Sequence, residues 1–210
     1  MSLIASAEGG RTFTPAPQGV HRAVCIGLYD LGTQLVEFEG KEKRLHKCLI
    51  MWELPDERII IEKDGAERDL PRIISKEYTV SLNDRSNLYK DLLSWRGMAF
   101  TDEELKHFDL KNILGKPCLI QVIHKKTNKG VYANIIAVMP IPKGSPKPVP
   151  ETDIIFYSIQ DNGANVPDGT PKWVQAKIKI AEEFSQYQPT AEEEPPMQEN
   201  APAMDDDVPF

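Results

Sequence analysis

The stretch SNLYKDLLSWRGMAFTDEELKHFDLKNILG, Ser86 to Gly115, decides how the rest of the chain is read. Leu88, Tyr89, Leu92, Leu93 and Trp95 recur at helical spacing, and Ser86 stands where an N-cap belongs. Gly97 suits the position just past the helix end, where a left-handed backbone carries no steric cost. Thr101 and Glu104 form a capping box that opens a second short helix to about Phe108. Asp109 caps a third, ended by Gly115. Trp95 completes a stripe with Leu88 and Leu92 and reads as core, as does Phe108, whereas Arg85 and Lys90 read as surface charges.

The flanking segments are extended. Upstream, Val20 to Tyr29 is a strand with Val24, Ile26 and Leu28 on one side and Ala23, Cys25 and Gly27 on the other. Both sides are apolar or small, which predicts cover on both faces. Asp30-Leu31-Gly32 interrupts it, and Leu35 to Glu39 resumes. The second strand, Lys43 to Leu54, points Arg44, His46, Cys48, Ile50 and Trp52 one way and Leu45, Lys47, Leu49 and Met51 the other. The Asp64-Gly65 turn predicts an inserted hairpin over residues 58–75. Tyr78 to Leu82 is a further strand. Downstream, Pro117 to His124 and Gly130 to Met139 are strands joined by a basic turn. In the second of these, Val131, Ala133, Ile135 and Ala137 make a suitable interior face, with Tyr132 and Asn134 outside. Three strands, helices, then two strands is the order of an OB-fold, a five-stranded Greek-key barrel with a helical segment after its third strand. The fold class expected is mainly β with inserted helices, plus a C-terminal helix and a disordered acidic tail.

The ends divide the chain further. Residues 1–18, rich in Ser, Ala, Gly and Pro, predict a flexible arm ahead of a barrel domain at 19–140. Residues 141–150 continue a proline-rich run and read as a stiff linker. Residues 151–188 form an extension. In it, Thr170 and Pro171 open a helix whose stripe is Trp173, Ala176, Ile180, Phe184 and Tyr187. That stripe must lie on the main domain or on a second copy in a homo-oligomer. Residues 189–210 are disordered by composition. The chain of 210 residues carries a net charge of −7. Residues 1–150 hold 22 Lys/Arg against 19 Asp/Glu, while the tail from Pro189 holds seven acids and no Lys or Arg. A mildly basic body thus carries an acidic tail, an arrangement that suits a nucleic-acid groove and a separate protein contact.

The last residues, Met204, Asp205, Asp206, Asp207, Val208, Pro209 and Phe210, put three carboxylates beside a short apolar end. Such a segment suits capture by another protein, with Phe210 in an apolar pocket and basic residues on the carboxylates. D-D-D-V-P-F closely resembles the C-terminal tip of bacterial single-stranded DNA-binding proteins. Residues 19–140 also resemble the single-stranded DNA-binding proteins of phages and prophages. The runs that carry this are D-L-G-T-Q at Asp30 to Gln34, S-K-E-Y-T at Ser75 to Thr79, S-W-R-G at Ser94 to Gly97 and Y-A-N-I at Tyr132 to Ile135. The resemblance implies a non-enzymatic, sequence-independent single-stranded DNA-binding protein that serves DNA replication, recombination and repair. It implies that the tip, Asp205 to Phe210, recruits partner enzymes. The body departs from the cellular bacterial proteins, so their stacking residues are not carried over.

Binding of unpaired strands needs Lys and Arg along the phosphates and flat side chains against the bases. Lys125, Lys126 and Lys129, beside His124, form the densest basic cluster, on a loop that OB-folds use for nucleic acid. Trp52 shares a strand face with Arg44 and His46, next to Lys47, and reads as a stacking platform or a core tryptophan. Tyr132 reads as a surface platform, and Tyr29 as a platform or core. Cys25, Cys48 and Cys118 lie in apolar runs and read as buried thiols; with the histidines they show no metal-ligand spacing, so neither metal nor cofactor is expected. No phosphate-binding loop, zinc-protease or serine-hydrolase motif is present, so no enzyme is expected. The absence of an apolar leader and of a membrane-length run predicts a cytoplasmic, nucleoid-associated protein without membrane contact. The other reading of these features is an OB-like adaptor that recruits proteins and lacks strong DNA affinity.

Overall fold

β1 runs from Gly19 to Phe38 and is shared by two antiparallel ladders. Gly19–Val24 pair with β4 (Pro117–Thr127), and Val24 onward pair with β2 (Lys41–Lys63). β2 pairs with β3 (Ala66–Thr79) and β4 with β5 (Gly130–Met139), giving the order β3-β2-β1-β4-β5. A short β6 (Ile155–Tyr157) adds parallel to Gly27–Tyr29 of β1. The result is a mainly β molecule whose antiparallel sheet curls into a half-barrel. β3 and β5 approach each other at the open side. This computed structural model describes residues 14–187 except 39, 64 and 129. The first thirteen residues of the arm, Lys129, and the acidic tail with its tip lie outside the described residues. Residues 14–18 do not form a free arm: Ala16 is buried, its carbonyl accepts from His124, and that of Thr14 accepts from Arg72.

Two breaks expected in the strands are irregularities within longer ones. The Asp30-Leu31-Gly32 interruption is a register shift between Asp30 and Gly32 inside β1, where the Asp30 carboxylate accepts from the Gly32 N–H. A second shift, between Cys25 and Gly27, moves Leu28 to the face of Ala23 and Cys25 and leaves Val24 and Ile26 opposite. A bulge inserts one residue and so reverses the alternation beyond it. The hairpin expected at 58–75 is no insertion but the continuation of β2 and β3 past a shift at Leu54/Arg58. In β5 a shift opposite Gln121/Val122 puts Val138 in the core in place of Ala137.

The helical signals hold because each is a local hydrogen bond. α1 (Asn87–Arg96) begins where Ser86 Oγ accepts from the Tyr89 N–H and ends at Gly97, φ 65°. α2 (Asp102–His107) has the full Thr101/Glu104 capping box. Asp109 caps a single 3₁₀ turn, Leu110–Ile113. Among the described residues no helix is long and apolar enough to cross a membrane.

The cover expected on both faces of β1 is present as two cores. One fills the half-barrel: Cys25, Leu28, Ile50, Trp52, Ile120 and Val138 meet Leu88, Leu92 and Trp95 of α1. The second lies on the outer face, where Val24, Ile26, Leu49 and Met51 are covered by the extension through Tyr157, Val174, Ile178 and Phe184. The extension thus lies on the main domain of its own chain. It comprises β6, α3 (Ile159–Asn162), α4 (Lys172–Lys179) and a 3₁₀ turn at Glu183–Tyr187. The buried stripe of α4 is Val174 and Ile178, continued by Ala181, while Trp173 and Ile180 stay exposed. The expected stripe holds at its end, where Phe184 is buried and Tyr187 packs against the second core, and fails in the helix, where Trp173, Ala176 and Ile180 are exposed because α4 turns the Val174–Ile178 line to the core.

Polar latches hold the extension down. Glu53, fully buried, accepts from the N–H groups of Glu151 and Thr152 at 2.8 Å each. Glu183 accepts from the N–H and hydroxyl of Thr33. Gly32 beneath it has φ 64°, and a Cβ there would lie 2.6 Å from Ala181 Cβ and 2.7 Å from Ile159 Cδ1. Only glycine fits where the extension comes this close.

Candidate nucleic-acid interface

The β4–β5 hairpin is the part of the barrel that stands free with positive charge. Lys125 pairs across the ladder with Tyr132, and Lys126 with Val131. Both lysines are exposed, and no acid lies within ion-pair reach of either among the described residues. The Tyr132 side chain is 44 % exposed. It borders a groove of about 410 Å³ that is also lined by Ile26, Met51, Ile73 and Trp173. Asp153, exposed, also borders it. A largely apolar groove with a half-exposed ring and an ammonium group directly opposite that ring can take a flat, apolar-faced anion such as an unpaired strand. Lys129, expected to share this cluster, lies outside the described residues.

The other expected contacts are not brought to this surface. Trp52 is 1 % exposed and pairs with Cys25 on one side and Ile74 on the other. Its ring sits 6.1 Å from that of Trp95. The alternation that put it in line with Arg44 and His46 is correct, but that line passes from the exposed end of β2 into the barrel interior. Trp52 therefore has no face to offer a base. Tyr29 does line the groove, but at 2 % exposure it is packed into the second core beneath the extension.

Arg44, His46 and Lys47 are engaged with acids. Arg44 is exposed and pairs with Glu182 at 2.9 Å. Lys47 lies 2.7 Å from Glu77, which Lys177 of α4 also reaches. Burial opposes the charge of Glu77, but Lys177 and Lys47 outweigh it and hold the carboxyl below its ordinary value. His46 Nε2 lies 2.8 Å from Asp30 Oδ1, with Glu183 3.8 Å from the other ring nitrogen. The Asp30 hydrogen bond, against some burial, raises His46 above its ordinary 6.5. Burial likewise works against ionised Asp30, and the His46 bond with the N–H groups of Gly32 and Ile159 outweighs it and lowers its pKa. Arg44 and His46 tie β2 to the extension and to β1, while Lys47 ties β2 to β3 at Glu77, which Lys177 of the extension also reaches.

Sequence reasoning missed Trp173, which it assigned to anchoring α4. A competing signal was present: Val174, Ile178 and Ala181 follow a spacing of four and three equally well. It also missed Glu53, Glu77 and Glu183, whose partners lie far away in sequence and leave no local signature. Compared with models of known protein families and with curated proteins, the chain matches none.

Proposed function

We propose that this chain is a sequence-independent single-stranded DNA-binding protein built on an OB-fold. The strand order β3-β2-β1-β4-β5, with helices between β3 and β4, supports the fold: an OB barrel closes in this order, β3 against β5. The observation that carries the function is Tyr132, half exposed on a hairpin whose Lys125 and Lys126 have no acid partner among the described residues, and bordering an apolar groove. Stacking on such a ring stabilises by about 1–3 kcal/mol per base, and the lysines add a salt-sensitive phosphate term. The strand is held out of reach of its complement, in the service of replication, recombination and repair. The tip, Asp205 to Phe210, recruits the enzymes that act on the coated strand; its support is the sequence alone.

A titration of labelled oligo-dT at two salt concentrations tests this. Saturable binding that weakens with salt and prefers single over double strands is the expected outcome; no binding in dilute buffer ends the proposal. One observation favours a second reading. OB-folds commonly bind oligonucleotides on the face of strands two and three, and here the extension covers the β2 part of that face at Leu49 and Met51 and reaches Glu77 of β3. An adaptor that uses its barrel only as a scaffold would look like this. It would bind proteins through the tip and leave the oligonucleotide free.

A further inference from the structure

We propose that the C-terminal extension completes the nucleic-acid site, and that Trp173 is its second base-stacking platform, on the same groove as Tyr132. This rests on the single-strand-binding reading above and assigns to it a residue outside the barrel.

Packing leaves Trp173 unexplained. α4 is anchored by Val174 and Ile178, both fully buried. Its backbone is further tied to β1, where Gln34 Nε2 donates to the Lys177 carbonyl at 3.0 Å, and to β3 through Lys177 and Glu77. The helix therefore has its hold without the indole. Yet Trp173, beside Val174, remains 47 % exposed. A large aromatic left half in water on an otherwise well-anchored helix gains nothing from that exposure in the free protein.

Its position supplies the reason. Trp173 and Tyr132 both border the same groove, which is largely apolar. Its volume of about 410 Å³ lies in the usual range of small-ligand sites. Positive charge lies beside both rings: Lys125, directly opposite Tyr132 on the same face of the ladder, and exposed Lys172 next to Trp173 in sequence. Two flat platforms with ammonium groups beside them match an unpaired strand, whose bases present apolar faces and whose phosphates run outside them. A duplex cannot use the rings, because its bases are stacked on each other. The extension, which covers the face that the barrel would otherwise offer, thereby returns a binding surface at its edge.

Two readouts on the full chain separate the possibilities. Trp52 and Trp95 are buried, at 1 % and 8 % exposure, so Trp173 is the tryptophan that solvent and ligand reach. Intrinsic emission should fall as oligo-dT binds, in step with anisotropy of the labelled strand. Trp173→Ala should weaken binding about 5- to 100-fold, the span of one lost stacking contact. Trp173→Phe should restore most of the affinity while abolishing the emission change. Melting curves check that both variants fold; if Trp173→Ala does not, the wild-type emission and Trp173→Phe still decide. Wild-type binding by anisotropy with unchanged emission, or with affinity unmoved or tightened in Trp173→Ala, overturns the role of the extension and leaves the parent reading intact. No anisotropy change in the wild type defeats the parent reading itself.

Discussion

Two basic hairpins leave the same barrel, and their charges are committed differently. On the β1–β2 side, Arg44, His46 and Lys47 meet Glu182, Asp30 and Glu77. On the β4–β5 side, Lys125 and Lys126 are exposed, with no acid in ion-pair reach among the described residues. The local sequences look alike, and both were expected to touch DNA. The difference is that the acids neutralising the first hairpin arrive from β1, β3 and the extension, from Asp30 to Glu183. A count of Lys and Arg measures charge present; folding decides how much remains available to a polyanion.

The largest effect that sharpens this contrast is on stability. Trp52→Ala should cost about 3–5 kcal/mol, as expected for a large ring removed from a core, read as a lowered melting midpoint. Its DNA affinity, measured where the variant is folded, should be unchanged. A variant that melts normally but loses DNA would restore Trp52 to the surface role. Next, Tyr132→Ala should weaken oligo-dT binding by about 1–3 kcal/mol with little change in melting, the reverse pattern.

The hairpins themselves can then be set against each other. Reversing Lys125 and Lys126 to Glu should lower affinity about tenfold or more at low salt and flatten the salt dependence. Arg44→Ala should leave affinity within about twofold, since that charge is already committed. Equal losses from both would erase the distinction. A smaller effect is set by pH. His46 has a raised pKa in the folded state, so its contribution is complete below 6.5 and disappears as pH climbs through the raised value. Melting of the wild type should therefore weaken over that interval relative to His46→Gln, in which the slope should be shallower. Parallel curves would mean that the His46–Asp30 bond does not hold the extension.

The parts of this fold that could be read in advance are those whose cause is close in sequence. Ser86, Thr101 with Glu104, Asp109 and Gly97 act within a turn of themselves, and all four were legible. So was the two-sided cover of β1, because apolar residues on both faces of a strand admit no other use. The bulges at Cys25/Gly27 and Gln121/Val122 were not, since a bulge is set by the partner strand. The long β2 was hidden by Pro55, which reads as a break and falls within the register shift. For the site, Tyr132 was legible as the odd residue on a face that the core did not need. Trp52 misled because a strand can share one face and still run from rim to interior. Trp173 was lost because a short helix offers too few turns to fix its phase.

Gly32 gives the molecule an unusual handle. The space where its side chain would begin is already taken by Ala181 and Ile159, so one methyl group at this position acts as a wedge driven under the extension alone. Gly32→Ala would turn a two-sided molecule into a one-sided one without touching the barrel's inner lining. The bare outer wall, with Val24, Ile26, Leu49 and Met51 laid open, would then show what it can hold when nothing of its own is resting there.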